Sequence, residues 1–303
     1  MELRFDGRCV IVTGAGNGLG RSHALEFARR GAQVVVNDLG GATSGGGSDI
    51  SVAQQVVNEI KEAGGEAVAN VNSVEDGRQI IECAMDSFGS VDVVVNNAGI
   101  LRDASFGKMN DEDWDVLYRV HLLGSMRVTR AAWPHMRKSE YGRVIMTTSA
   151  AGLYGNFGQA NYSAAKMGLV GLGKTLAIEG ASKNILVNIV CPTAGSRLTA
   201  SVMPKAVVDA LKPEYVTPTV ILLTHEGASA TGRLFEVSGG WVSETRWEQT
   251  QGVFFQDEFT AEELSSRWAE ATSFENSRHA TTLGESKFGT KERLGQEMVL
   301  VPQ

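Results

Sequence analysis

The chain has 303 residues, 43% hydrophobic and 21% charged, with a formal net charge of -7. That length buries a large core, and the acidic balance argues against nucleic acid as a partner, because phosphate backbones need a basic footprint. Cys9, Cys83 and Cys191 lie far apart without CxxC spacing, so neither a disulfide framework nor a metal site is expected.

The start, Met1-Glu2-Leu3-Arg4-Phe5-Asp6-Gly7, lacks a secretory pattern. No apolar stretch is long enough to span a bilayer. Cys9-Val10-Ile11-Val12 is a short apolar run that stops at a glycine cluster, as a buried parallel strand does. A helical stripe follows through Ala24, Leu25, Phe27 and Ala28 to Gly31. Val34 to Val36 predicts a second strand, Val52 to Ile60 a helix, Ala67 to Val71 a third strand, Ile80 to Phe88 a helix and Val91 to Val95 a fourth strand. After a long helical region come strands at Val144 to Met146, Ile185 to Val190 and Leu234 to Val237. Alternation of this kind means an α/β fold: a doubly wound parallel sheet of seven strands with helices on both faces. Residues 1–244 are expected to form one domain and 245–303 a more polar C-terminal extension with one short helix, Ala261 to Ala269.

Three places carry the chemistry. Thr13-Gly14-Ala15-Gly16-Asn17-Gly18-Leu19-Gly20 lies between the first strand and first helix. Glycines there let the backbone turn and approach a pyrophosphate, and the helix N-terminus supplies free N–H groups. Asp38 ends the second strand, and no Arg or Lys follows until Lys61. A carboxylate at that place accepts hydrogen bonds from ribose hydroxyls and repels a 2′-phosphate, which selects NAD over NADP. Asn96-Asn97-Ala98-Gly99 ends the fourth strand, as a crevice wall or a plain turn. The glycine-rich segment Gly40 to Gly47 borders a ligand or is a solvated connector.

Tyr162 and Lys166 are four apart on a predicted helix and so share a face. An ammonium beside a phenol favours phenolate, which lets Tyr162 take an alcohol proton or return one to a carbonyl. Ser149 follows the fifth strand, where it either hydrogen-bonds the substrate oxygen or caps the next helix. Thr148 is the neighbouring alternative.

Taken together, Thr13-Gly14-x-x-x-Gly18-x-Gly20, Asn96-Asn97-Ala98-Gly99, Ser149 and Tyr162-x-x-x-Lys166 resemble the short-chain dehydrogenase/reductase family from about residue 6 to 240. The resemblance implies a Rossmann-type sheet, an oxidoreductase acting on CH–OH groups with NAD, and a homodimer or homotetramer. Val36 to Gly41, Asn97 to Asp103 and Tyr154 to Tyr162 are similar to one branch, the (3R)-hydroxyacyl-CoA dehydrogenase domains of peroxisomal multifunctional enzymes of type 2. That branch also carries the name 17β-hydroxysteroid dehydrogenase type 4. It implies oxidation of a (3R)-3-hydroxyacyl-CoA in β-oxidation of fatty acyl or sterol side chains, with 17β-hydroxysteroid oxidation as the alternative. Carried over by position, Leu19, Asp38, Ser73, Val74 and Asn97 line the cofactor, as do Ala194, Gly195, Ser196 and Arg197.

Many family members place an Asn in the long helical region as part of a proton relay. Here His121 stands at that position, as a holder of a relay water or as a packed structural histidine. The sequence ends at Val301-Pro302-Gln303, without the hydratase domain of the multifunctional proteins or the common peroxisomal tripeptide. The expectations are a separate enoyl-CoA hydratase and a cytoplasmic location, with the peroxisome as alternative. The small apolar residues around Tyr162, from Ala164 to Ala177, predict a helix buried on most sides, by a subunit interface or under the tail. A non-enzymatic dinucleotide sensor is the competing class, and the presence of Ser149, Tyr162 and Lys166 together speaks against it.

Overall fold

Cys9–Thr13 (β1), Val93–Asn96 (β4) and Gly142–Thr147 (β5) are buried at every residue. A strand with no polar face has to be covered on both sides, which is the condition of a central strand in a parallel sheet. The side chains of β1 divide accordingly: Val10 and Val12 enter one apolar core, Cys9 and Ile11 the other. The computed structural model describes residues 2–195, 204–287 and 289.

Between β1 and β4 come helix α1 (Gly18–Arg29), β2 (Gln33–Asn37), α2 (Ile50–Glu62), β3 (Glu66–Asn70) and α3 (Gly77–Phe88). Helix α4 (Asp111–Tyr118), a π-helical turn at Arg119–Gly124 and α5 (Ser125–Ser139) fill the long helical region before β5. After β5 follow α6 (Ala150–Tyr154), α7 (Ala160–Gly180), β6 (Ile185–Thr193), α8 (Lys205–Ala210), α9 (Thr217–Thr224), β7 (Leu234–Ser238) and β8 (Trp241–Thr245). Phe27, Ile60 and Ile221, from α1, α2 and α9, pack one face of the sheet. Ile80, Met136 and Leu169, from α3, α5 and α7, pack the other.

The strand order is β3-β2-β1-β4-β5-β6-β7-β8, with parallel registers from β3 through β7. The chain leaves β1 outward to β3, then returns to lay β4 beside β1. Connections that diverge at that point open a crevice above the strand ends. The sheet has eight strands where the sequence predicts seven. Gly239 and Gly240, both at positive φ (53° and 89°), turn the chain back so that β8 hydrogen-bonds beside β7. Two glycines between apolar runs are a hairpin signal that the strand-by-strand reading passed over.

Two compact units divide the chain at Met1–Glu244 and Thr245–Gln303. In the second unit the predicted helix Ala261 to Ala269 is two short helices, α10 (Ala261–Ser266) and α11 (Trp268–Ala271). Arg267 breaks them at φ -111° and ψ 12°. A capping box of Thr260 and Glu263 starts α10, and a second, of Thr282 and Glu285, starts α12 (Leu283–Ser286). Among the described residues no helix is long and apolar enough to cross a membrane.

Candidate active site

The glycine loop owes its shape to the absence of side chains. Gly14 and Gly18 have φ of 63° and 52°, which L-residues avoid. A Cβ on Gly20 would stand 2.1 Å from the Gly14 carbonyl oxygen, and one on Gly14 would stand 2.8 Å from Ala98 Cα. Asn17 precedes α1 and makes no side-chain cap, so the first N–H groups of that helix stay available to an anion.

Asn97 secures the loop from β4. Its Nδ2 donates to the carbonyls of Thr13 and Gly14 at 3.0 and 3.1 Å. Thr13 Oγ1 accepts the N–H groups of Asn97 and Ala98 at 3.0 and 3.1 Å. Asp38 does the same from β2: Oδ2 accepts Gly16 N–H at 2.7 Å and Oδ1 accepts Gly40 N–H at 2.8 Å. Each carboxylate oxygen retains lone-pair capacity for a further donor.

These groups border a cavity of about 330 Å³. It brings together Gly14, Asn17, Gly18, Leu19, Asp38, Ser73, Val74, Asn97, Ala98, Gly99, His121, Ser149, Tyr162, Lys166 and Ala194, all singled out from sequence. Gly20 and Gly195 do not line it. Gly20 is needed for close packing on Gly14, and a Cβ on Gly195 would meet the Val208 carbonyl oxygen at 2.1 Å. Ser196 and Arg197 lie outside the described residues. Sequence reasoning missed Asn72, Ile100 and Pro192 on the lining, whereas Thr43 belongs to the glycine-rich segment for which a ligand border was one of two readings. The asparagines that close parallel strands were a usable signal for Asn72: Asn37 Nδ2, at the end of β2, donates to Asn70 Oδ1 and to the Asn72 carbonyl.

Ser149 both caps and faces the site. Its Oγ accepts Ala151 N–H at 3.3 Å to start α6, while it lines the cavity together with Tyr162. Thr148 is committed elsewhere, since its hydroxyl donates to the Lys166 carbonyl at 2.7 Å. Lys166 is 4% exposed and its Nζ donates to the Thr147 carbonyl at 2.7 Å. Burial pushes Lys166 down to about 7. Burial also pushes the Tyr162 phenol up to about 12, against the pull of Ser149. The expectation that Lys166 depresses Tyr162 is therefore corrected, since burial sets the direction. Lys166 Nζ sits 5.5 Å from the ring centroid and is tied to a carbonyl, so loss of water outweighs its charge.

His121 occupies the π-helical turn, 1% exposed. Its ring lies against Gly99, where a Cβ would stand 2.5 Å from Cε1. Nε2 lies 2.8 Å from the Ile100 carbonyl oxygen and 3.1 Å from the Ile100 N–H nitrogen, and Nδ1 is buried without a hydrogen-bond partner. Burial, then the charge of Lys166, holds the imidazole down to about 3, so it is neutral at physiological pH. The ring meets Tyr162 edge-on at 5.2 Å. His121 is thus packed in place, with one ring nitrogen against the Ile100 backbone and the other buried without a partner.

The sequence pattern of the short chain dehydrogenases matches residues 8–205. The chain belongs to the short chain dehydrogenase family. As a member of that family it is an oxidoreductase acting on CH–OH groups, with a nicotinamide dinucleotide as cofactor. This short chain dehydrogenase is 56% identical over 289 residues to peroxisomal multifunctional enzyme A of Dictyostelium discoideum, covering 95% of this chain and 65% of that one. It is 55% identical to peroxisomal multifunctional enzyme type 2 of Mus musculus, covering 96% of this chain and 40% of that one. Among solved structures, full-length peroxisomal multifunctional enzyme type 2 of Drosophila melanogaster superposes with a TM-score of 0.82 at 42% identity, over 97% of this chain and 50% of that one. The chain thus spans about two thirds or less of each of these relatives. The cofactor assignment agrees with the fold: the Cβ-free cradle at Gly14 and Gly20, the open start of α1 and the Asp38 carboxylate match a pyrophosphate and a ribose.

Proposed function

We propose that this dehydrogenase oxidises (3R)-3-hydroxyacyl-CoA thioesters to 3-ketoacyl-CoA with NAD, in β-oxidation of fatty acyl or sterol side chains. The observation that carries this reading is identity of 55–56% across nearly the whole chain with multifunctional enzymes of the peroxisome. A bound nicotinamide supplies the hydride acceptor. Tyr162 takes the hydroxyl proton, Ser149 hydrogen-bonds the substrate oxygen, and Lys166 provides positive charge that steadies the phenolate once a ligand draws it from Thr147. His121 Nδ1 is the nitrogen at which a water joins the proton path. Asp38 selects NAD: its carboxylate meets ribose hydroxyls and repels a 2′-phosphate.

The names of the relatives support a peroxisomal location, and none supports the cytoplasm expected from the sequence. An enoyl-CoA hydratase activity is proposed to supply the substrate, in keeping with relatives named hydratase-dehydrogenase-epimerase. A homodimer or homotetramer is proposed too. Ile178 on α7 is 80% exposed and Leu222 on α9 is 58% exposed, so apolar surface remains on both helices. In the single chain α7 leaves one stripe exposed, at Ala164, Gly171, Thr175, Ile178 and Glu179, and is buried or half-buried on its other sides.

The deciding experiment follows NADH formation by the purified chain with (3R)- and (3S)-3-hydroxyacyl-CoA, a sterol side-chain thioester and a 17β-hydroxysteroid, each with NAD and NADP. Turnover of the (3R) thioester with NAD is expected. Activity confined to the (3S) series, or to the steroid, overturns the substrate assignment. A preference for NADP overturns the role given to Asp38.

A further inference from the structure

The glycine-rich segment after β2 is more than a connector. From Asp38 it runs along the cavity wall, where Leu39, Ala42 and Thr43 line it. It closes on itself through Ala42 N–H to the Gly46 carbonyl at 2.7 Å and returns through Asp49 N–H to the Leu39 carbonyl at 3.0 Å. Its tip meets the segment after β4 at three consecutive residues. Gly45 packs on Ile100, where a Cβ would stand 2.9 Å from Cδ1. The Thr43 carbonyl accepts Leu101 N–H at 2.9 Å. Arg102 Nε donates to the Ser44 carbonyl at 2.5 Å.

Arg102 also reaches the other way. Its Nη1 pairs with Asp113 Oδ1 at 2.9 Å, at the start of α4. Asn161, 2% exposed, donates from Nδ2 to the carbonyls of Arg102 and Asp113 at 3.1 Å each, and its Oδ1 accepts Tyr162 N–H at 2.8 Å. A connected path of packed and hydrogen-bonded groups therefore runs from Asp38 through this strap to the backbone of Tyr162.

We propose that Arg102 is a positioning residue: its guanidinium latches the 40–49 strap over the nucleotide cleft and ties that closure to the start of the helix carrying Tyr162. The proposal rests on the nicotinamide-nucleotide site and not on the acyl-CoA assignment. Arginine suits the task because its planar fork holds two acceptors in fixed directions, whereas a lysine ammonium is one point on a flexible stem.

Arg102→Met and Arg102→Lys in the full chain test it, with NADH binding read by fluorescence and amide hydrogen exchange read with and without NADH. In the wild type, NADH slows exchange in 41–47 and in 160–163. In Arg102→Met, NADH binding weakens about tenfold, the loss expected for charge-assisted hydrogen bonds. KM for the nucleotide rises in step, and NADH still protects the 14–20 loop but no longer protects 160–163. Arg102→Lys recovers part of the affinity and none of the protection at 160–163, and it carries the test if the methionine variant fails to fold. Unchanged NADH affinity in both variants, or full protection of 160–163 in either, overturns the latch. A wild type that binds NADH with protection of both segments, yet turns over no hydroxyacyl-CoA, overturns the substrate assignment alone and leaves the latch standing. A wild type that turns over the thioester without protecting the strap overturns the latch alone.

Discussion

The two halves of the cavity are built on opposite principles. Around the glycine loop, Asp38, Asn97 and Thr13 have their hydrogen bonds made before any ligand arrives. Around Tyr162, burial holds a lysine near 7, a phenol near 12 and a histidine near 3, and His121 Nδ1 has no partner. The glycine loop is therefore a preformed mould, and affinity there comes from preorganisation. The chemical half keeps its ionisable groups in forms that loss of water favours, so that ligand charges shift them. Shape carries binding in one half, and charge carries reaction in the other.

Tyr162→Phe gives the largest separation of the two. It is expected to lower kcat by about a thousandfold, within the range for loss of a general acid–base. NADH binding, read by fluorescence, is expected to stay within about threefold of wild type, because the phenol is not part of the mould. A variant that kept near-normal turnover would remove Tyr162 from the chemistry. Gly20→Ala strikes the mould instead. The added Cβ meets the Gly14 carbonyl at 2.1 Å, and overpacking of this kind costs about 3 kcal/mol. Denaturant unfolding should show that loss together with weakened NADH binding; unchanged stability would mean that the loop yields easily and the mould is not rigid.

Asp38→Asn is expected to raise KM for NAD about tenfold and to narrow the preference over NADP without inverting it. The side chain holds Gly16 and Gly40 as well as facing the ribose, so the change loosens the loop for either nucleotide. Clean inversion to NADP would show that the carboxylate acts by charge alone. The smallest effect is on stability against pH. Burial lowers both His23 and His121 from 6.5 to about 3. Between those values the unfolded chain binds protons that the folded chain refuses. Their contribution is complete above pH 6.5 and is lost as pH falls toward 3. The melting temperature of the wild type should fall across that window, and more gently in a His23→Gln, His121→Asn double variant. An identical slope in the two proteins would show that these imidazoles are not the groups responsible.

Much of the nucleotide half was legible because its signals are local. Gly14 and Gly18 announce a turn, Asp38 ends a strand, and strand–helix alternation puts both on one edge of a parallel sheet. Ser149, Tyr162 and Lys166 were legible as residue types at the right spacing. The dual use of Asp38, the commitment of Thr148 to Lys166 and the lining by Asn72 and Ile100 were not, because each depends on segments far apart in sequence. The eighth strand falls outside the strand–helix alternation: Gly239-Gly240 signals a hairpin, and a hairpin breaks the rhythm of parallel strands.

By itself the sequence determined the α/β alternation, the glycine cradle and the spacing of Tyr162 and Lys166, all of which follow from backbone freedom and periodicity within a few turns of chain. Only the tertiary structure decided how those groups are charged and what holds them. Protonation depends on how completely water is excluded, and exclusion is produced by α4, the π-helical turn and α7 packing together. The same packing sets His121 against Gly99 and carries Arg102 to both the strap and Asp113, arrangements that no short stretch of sequence encodes.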